Sequence, residues 1–194
     1  MYPVPSLTSV SVGMLTDHLC GMSRGSAHFR GVCLVVAKLF NIVLPSRAYF
    51  GQKDAQQALV VGRMARDLNF GLEMVVCPIV REDDGLAMSS RNQYLSESER
   101  KRATALYQAL CAGRAAIKDG ERSALRIREI MAESLSAVKD VEVDYLEVAD
   151  ADVLTDVDGE IDDLVLLAGA VYVGKTRLID NLLVHPEAGP WDDE

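Results

Sequence analysis

The 194-residue sequence has no Cys-Xaa-Xaa-Cys pair, no surplus of basic residues and no apolar run near the ~20 residues of a membrane span. Each absence excludes something. Its four cysteines, Cys20, Cys33, Cys77 and Cys111, are too scattered for a zinc ribbon or a thioredoxin-type couple. They read as reduced, mostly buried thiols of a cytoplasmic protein. Twenty Lys and Arg against 29 Asp and Glu give a net charge of −9, which argues against a nucleic-acid or anionic-membrane surface. The opening Met-Tyr-Pro-Val-Pro has neither the basic start nor the apolar core of a signal peptide. What is present is ordinary core material. Hydrophobic residues make up 49% of the chain and mean hydropathy is +0.09, so a buried core is expected in one domain or two small ones.

Periodicity divides the chain into two unlike parts. A strand is expected near Ser9–Val12, a helical turn at Thr16–Cys20 and a loop through Gly21–Ala27. Val32, Val35, Val36, Leu39 and Phe40 form a helical stripe over 29–40, ended by Asn41–Leu44 and Pro45. Arg47–Phe50 reads as a strand. Asp54 is placed to cap a helix over 55–68, with Ala58, Val61, Ala65 and Leu68 on one face. Leu72–Cys77 reads as the next strand. This βαβ spacing implies a parallel sheet and hence an α/β first part. After the polar turn Glu82–Gly85, Ser96 and Glu99 form a capping box for a helix to about Lys118. A second helix is expected over 123–137, then strands at 141–148, 164–173 and 176–184, the last two joined at Gly174-Lys175. That second part is a small α+β unit. The expected domains are 1–95, 96–186 and an acidic, loose tail at 187–194. The five acids of Asp156–Asp163 lack the calcium-loop pattern and read as a solvated loop.

Two segments carry chemistry. Gly51-Gln52-Lys53-Asp54 follows a strand directly, where open α/β sheets bind ligands. Gly51 admits close backbone approach, Lys53 offers a compact charge to phosphate oxygens, and Asp54 can cap the helix or accept from a ribose hydroxyl. The helix N-terminus adds oriented N–H groups, and Gln57, one turn in, can meet a small polar substrate. About thirty residues on, Met88-Ser89-Ser90-Arg91 offers two hydroxyls, loop N–H groups and a guanidinium suited to a polyphosphate whose α-phosphate gains charge during attack. Gripping one nucleotide triphosphate from two sides would suit an ATP-using enzyme. Each segment alone is also what a solvated turn with a surface Lys, or a Ser-rich loop before a helix, looks like. Val80 can meet an adenine face or offer its backbone to the ring edge, or simply leave a strand. His28, with Arg24 and Arg30 nearby, could touch an anionic substrate or be a surface or capping residue. His18 and His185 have no polar cluster around them in sequence.

Together these segments resemble the pantoate–β-alanine ligase family. The stretches that carry the resemblance are His28-Phe29-Arg30-Gly31-Val32, Val35 to Val43, Phe50-Gly51-Gln52-Lys53-Asp54-Ala55-Gln56-Gln57, Val80-Arg81-Glu82 and Asp84 to Asn92. Tyr145-Leu146-Glu147 and Thr176 to Asn181 look like the family's tail. The resemblance implies part of a doubly wound Rossmann-like sheet of the class I synthetase type, followed by an α+β lid. It implies ligation of pantoate with β-alanine through pantoyl adenylate, with ATP as substrate and Mg²⁺ accompanying it. Gly51, Gln52, Lys53, Asp54, Val80, Met88, Ser89, Ser90 and Arg91 would contact ATP, with Lys53, Ser89, Ser90 and Arg91 catalytic. Gln57 would bind pantoate, and the lid would keep water from the mixed anhydride. Family members are typically homodimers. Two departures stand out. The sequence has no His-Xaa-Gly-His segment, which lies in the family's N-terminal third, so Met1 looks like an interior residue and the isolated chain is expected to ligate weakly or not at all. Gly25 stands where the family usually has proline after the arginine. The alternative reading is a non-catalytic nucleotide-binding or dimerising module of the same fold.

Overall fold

The computed structural model describes residues 1, 4 and 6–187, so most of the expected acidic tail, 188–194, lies outside the described residues. The chain divides into two compact units, Met1–Cys77 and Pro78–Glu194.

The first unit is helical, then α/β. Helix α1 (Cys20–Arg24) and helix α2 (Ser26–Val43) meet at Gly25, whose φ of +75° suits glycine. The expected strand at 9–12 is not formed, since no ladder partner faces it, and the expected loop at 21–27 is largely helical. Helix α2 also outlasts its expected end by a turn. It stops at Leu44, which takes a left-handed conformation (φ 49°) just before Pro45 and caps with its N–H to the Phe40 carbonyl. Strand β1 (Arg47–Gly51) pairs in parallel with β2 (Glu73–Cys77), in register from Arg47↔Glu73 to Gly51↔Cys77. Between them runs α3 (Ala55–Asp67), which buries Ala58, Val60, Val61, Met64 and Ala65. Leu68 falls beyond this helix's last turn and is exposed, not on the apolar face as expected. Asp54 occupies the cap position but its carboxylate makes no cap bond, because a 3₁₀ turn over Gln52–Asp54 already leads into the helix. Phe40 and Phe70 meet edge to face at 5.4 Å and tie the end of α2 to the turn after α3.

The second unit packs helices on an antiparallel meander. The Ser96 capping box forms with both of its bonds, but the one helix expected from it is two, α4 (Glu97–Arg102) and α5 (Ala105–Lys118). At the break Thr104 turns its hydroxyl back onto the Lys101 carbonyl at 3.0 Å, a local bond that competes with the helix. Helix α6 (Ala124–Ser136) starts at Ser123, whose Oγ accepts from the Arg126 N–H. Strands β3 (Val141–Asp150), β4 (Val165–Val173) and β5 (Thr176–Val184) lie in the order β3-β4-β5. The β4–β5 hairpin turns at Gly174, with φ +59°. Leu106, Leu110 and Ile117 of α5, Ile127, Met131 and Leu135 of α6, and Leu167, Val171 and Val173 of β4 form one apolar core. Gly169 lets Leu106 sit against β4: a Cβ there would stand 2.6 Å from Leu106 Cδ1. The Asp156–Asp163 acids are solvent-exposed, and only Ile161 is fully buried among them.

Candidate functional site

In the first unit the chain leaves the carboxyl end of β1 at Gly51, makes the 3₁₀ turn Gln52-Lys53-Asp54 and enters α3. Nothing lies within 4 Å of where a Cβ on Gly51 would stand, so the space beside this backbone is open. The Lys53 side chain is only 17% exposed and its Nζ lies 4.0 Å from the Asp54 carboxylate. Its long stem is therefore packed while its charge is held at the strand's end, next to the first N–H groups of α3. Gln57 is half-buried on the first turn.

Its neighbour Gln56 was not singled out from the sequence. Gln56 is buried, and its side-chain amide donates to two carbonyls, Leu15 O at 2.8 Å and His18 O at 2.6 Å. This one side chain staples the segment before α1 to the start of α3. His28 is the third residue of α2, where Arg24 Nη1 lies 3.2 Å from His28 Nε2. Partial burial, and then the Arg24 charge, push the imidazole below its usual range, so it is neutral at physiological pH and accepts from Arg24. Its ring stands edge-on to Phe29 at 5.1 Å. Arg30 is exposed.

In the second unit Val80 and Met88 to Arg91 lie on one folded loop. The Met88 N–H donates to the Val80 carbonyl at 2.9 Å, and the Glu82 N–H donates to Leu86 O at 2.9 Å, making a tight hairpin around Gly85. Gly85 has φ +91°, and a side chain there would run into the Tyr107 ring, so position and conformation both require glycine. Ser89 caps the 3₁₀ turn over Ser90–Tyr94, its Oγ accepting from the Arg91 N–H at 3.2 Å. Val80, Met88, Ser90 and Arg91 are exposed, as groups that meet a ligand must be.

The hairpin is held by ion pairs that sequence reading missed. Arg81 donates twice to Asp180 on β5, at 2.6 and 3.0 Å, and once to Gly85 O at 3.0 Å. Its guanidinium stacks over Tyr107 at 3.9 Å. Arg100 on α4 reaches Glu82 at 2.7 Å and Asp84 at 2.6 Å, and holds both carboxyls below the usual range. Asn92 closes the loop by donating to Glu82 at 2.9 Å and to Ala87 O at 3.2 Å. The signal in the sequence was present but diffuse, since Arg81 and Asp180 are 99 residues apart.

Among the described residues no three His, Cys, Asp or Glu side chains gather to hold a metal ion, and no helix is long and apolar enough to cross a membrane.

Known proteins share this sequence and fold. The sequence model of the pantoate-beta-alanine ligase family matches residues 1–183. The pantothenate synthetase of Thermotoga neapolitana is 55% identical over 184 residues, covering 95% of this chain and 65% of the relative. That of Moorella thermoacetica is 53% identical over 185 residues, with 95% and 65% covered. The pantoate-beta-alanine ligase structure from Thermus thermophilus superposes with a TM-score of 0.88 at 45% identity, covering 94% of this chain and 65% of that one. The Francisella tularensis ligase, solved in complex with beta-gamma ATP and beta-alanine, gives a TM-score of 0.70 at 26% identity, with 97% and 62% covered. The chain thus spans about 65% of the length of the curated relatives it matches. Its first unit is Rossmann-like and its second a small α+β unit. From the family match over nearly its whole length, this chain belongs to the pantoate-beta-alanine ligase family.

Proposed function

We propose that this chain handles ATP in an AMP-forming carbon–nitrogen ligase that joins pantoate to β-alanine. In the first half-reaction a carboxylate oxygen of pantoate attacks the α-phosphorus of ATP. The bond to the bridging oxygen breaks, and pyrophosphate leaves. In the second, the amine of β-alanine attacks the acyl carbon of pantoyl adenylate and loses a proton. AMP departs with the bonding electrons and pantothenate remains.

The observation that carries this reading is the place of Lys53: packed at the carboxyl end of a parallel strand and at the mouth of a helix, inside a family-matching motif. Lys53 stabilises the charge that grows on the phosphates, and Gly51, Gln52 and Asp54 shape the turn that receives the nucleotide. Met88, Ser89, Ser90 and Arg91 bind the same polyphosphate, with Arg91 able to take two oxygens at once. Val80 holds the adenine end, and Gln57 binds pantoate. Mg²⁺ would accompany the ATP and offset part of the phosphate charge. We further propose a homodimer working in the cytoplasm, where the scattered Cys20, Cys33, Cys77 and Cys111 would stay reduced. The domain reading remains 1–95 for nucleotide binding and 96–186 for a lid.

The test is AMP release from Mg·ATP, pantoate and β-alanine, paired with calorimetric ATP binding by the wild type and Lys53→Ala. Loss of ATP binding in the variant supports the assignment. Undiminished ATP binding by Lys53→Ala would refute it. Full turnover by the isolated chain would contradict the expectation that the family's His-Xaa-Gly-His segment is needed.

A further inference from the structure

Of the residues proposed to meet phosphate, Ser90 and Arg91 are exposed and Ser89 is half-buried, and their loop is fastened at both ends. On one side Arg81 turns its two terminal nitrogens onto fixed acceptors. Two N–H groups go to Asp180, which is 4% exposed, one to the Gly85 carbonyl, and the guanidinium face rests on Tyr107. On the other side Arg100 bridges Glu82 and Asp84, and Glu82 uses its second oxygen for Asn92, the residue after Arg91. None of these groups lies among the exposed side chains that would touch a ligand. A loop needing only to exist could have been tied down by apolar packing. Here two buried or half-buried arginines set its ends through directional, charge-assisted bonds.

Building on the polyphosphate reading above, we propose that Arg81 and Arg100 are positioning residues that hold Ser89-Ser90-Arg91 ready for a polyphosphate before it binds. The physical gain is entropic. A loop already ordered by the protein loses little freedom on meeting its ligand, so its binding energy goes to the ligand. Arg100 holds the carboxyl pKa values of Glu82 and Asp84 below their usual range, as expected of acids bonded to a fixed guanidinium.

The experiment uses the full chain and inorganic pyrophosphate with Mg²⁺ as the probe. Arg81→Lys keeps the charge but loses the fork, and Arg100→Lys does the same on the more exposed side. Ile127→Val, which takes one methyl from the second unit's core, is the control for simple destabilisation. Two quantities are read well below the melting temperature, pyrophosphate affinity by calorimetry and amide exchange at Met88 and Asn92, and the melting temperature is measured separately. The expected result is affinity about tenfold weaker in each arginine variant, with faster exchange at Met88 and Asn92, and a change within about twofold for Ile127→Val even where its melting temperature falls as far. Pyrophosphate binding that is lost in Arg91→Ala but stays within about twofold of wild type in both Lys variants would overturn the positioning role alone. No binding by the wild type, or binding untouched by Arg91→Ala, would overturn the polyphosphate reading together with it.

Discussion

Asp180→Asn is the substitution whose cost the structure sets most closely. Asp180 is 4% exposed on β5 and receives two N–H groups of Arg81 and the N–H of Asn181. The exchange to Asn is isosteric, so packing is conserved and only charge is lost. The new amide oxygen can still accept, but its NH₂ must face the guanidinium or turn from it. Arg81 is then a cation 16% exposed with no carboxylate opposite. Removing one partner of a fully buried pair costs about 3–5 kcal/mol. Arg81 keeps some solvent, the Gly85 carbonyl and the Tyr107 face, so about 2 kcal/mol is expected for this site. For a chain of this size that lowers the melting temperature by roughly 4–8 °C. The assay is thermal unfolding followed by circular dichroism, repeated for Arg81→Met, for Asp180→Leu and for the double variant Arg81→Met/Asp180→Leu. Each single change should cost more than the pair, because the double variant leaves no orphaned charge. A loss below about 0.5 kcal/mol in Asp180→Asn, or additive costs in the double variant, would refute the reasoning that this ion pair anchors the hairpin.

Other outcomes follow from the same geometry. Gly113→Ala should destabilise by about 1–2 kcal/mol despite alanine's better helix propensity, because the new Cβ would stand 2.9 Å from Met131 Cγ and 3.2 Å from Leu167 Cδ1; urea denaturation checks it. Ser96→Ala removes the capping box that opens α4 and should cost about 1 kcal/mol by the same measurement. The hairpin should resist mild acid. Arg100 depresses the carboxyl pKa values of Glu82 and Asp84 in the folded chain, so their stabilisation is complete above the ordinary carboxylate range and disappears only as pH falls through the lowered values. The protection factor of the Met88 amide should therefore be unchanged from pH 7 to about 5 and fall below about 4, while Arg100→Gln should show low protection throughout.

Much of the fold was legible because local signals and tertiary structure agree. The helical spacing of Ala58, Val61 and Ala65, the Ser96/Glu99 box and the Gly174 turn each named an element that formed. Failures came where a local signal had two readings. Asp54 looks like a cap, but the 3₁₀ turn before it takes over that function. Thr104 looks like an ordinary helical residue, but its hydroxyl bonds backward and splits the helix. Ser9–Val12 alternates like a strand and finds no partner. Of the candidate site, the two segments proposed to meet a ligand could be singled out because glycine, lysine, serine and arginine carry their chemistry locally. Gln56 and Arg81 were not, because their partners lie 38 to 99 residues away and nothing in either sequence neighbourhood points to them.

The most direct measurement titrates Mg·ATP into the wild-type chain, Lys53→Ala and Arg91→Ala by calorimetry under one set of conditions. If both residues serve one nucleotide, the wild type binds a single equivalent and either substitution weakens that same event by about tenfold or more. An isotherm that survives unchanged in one variant while the other abolishes it would mean that lysine 53 and arginine 91 do not share a ligand.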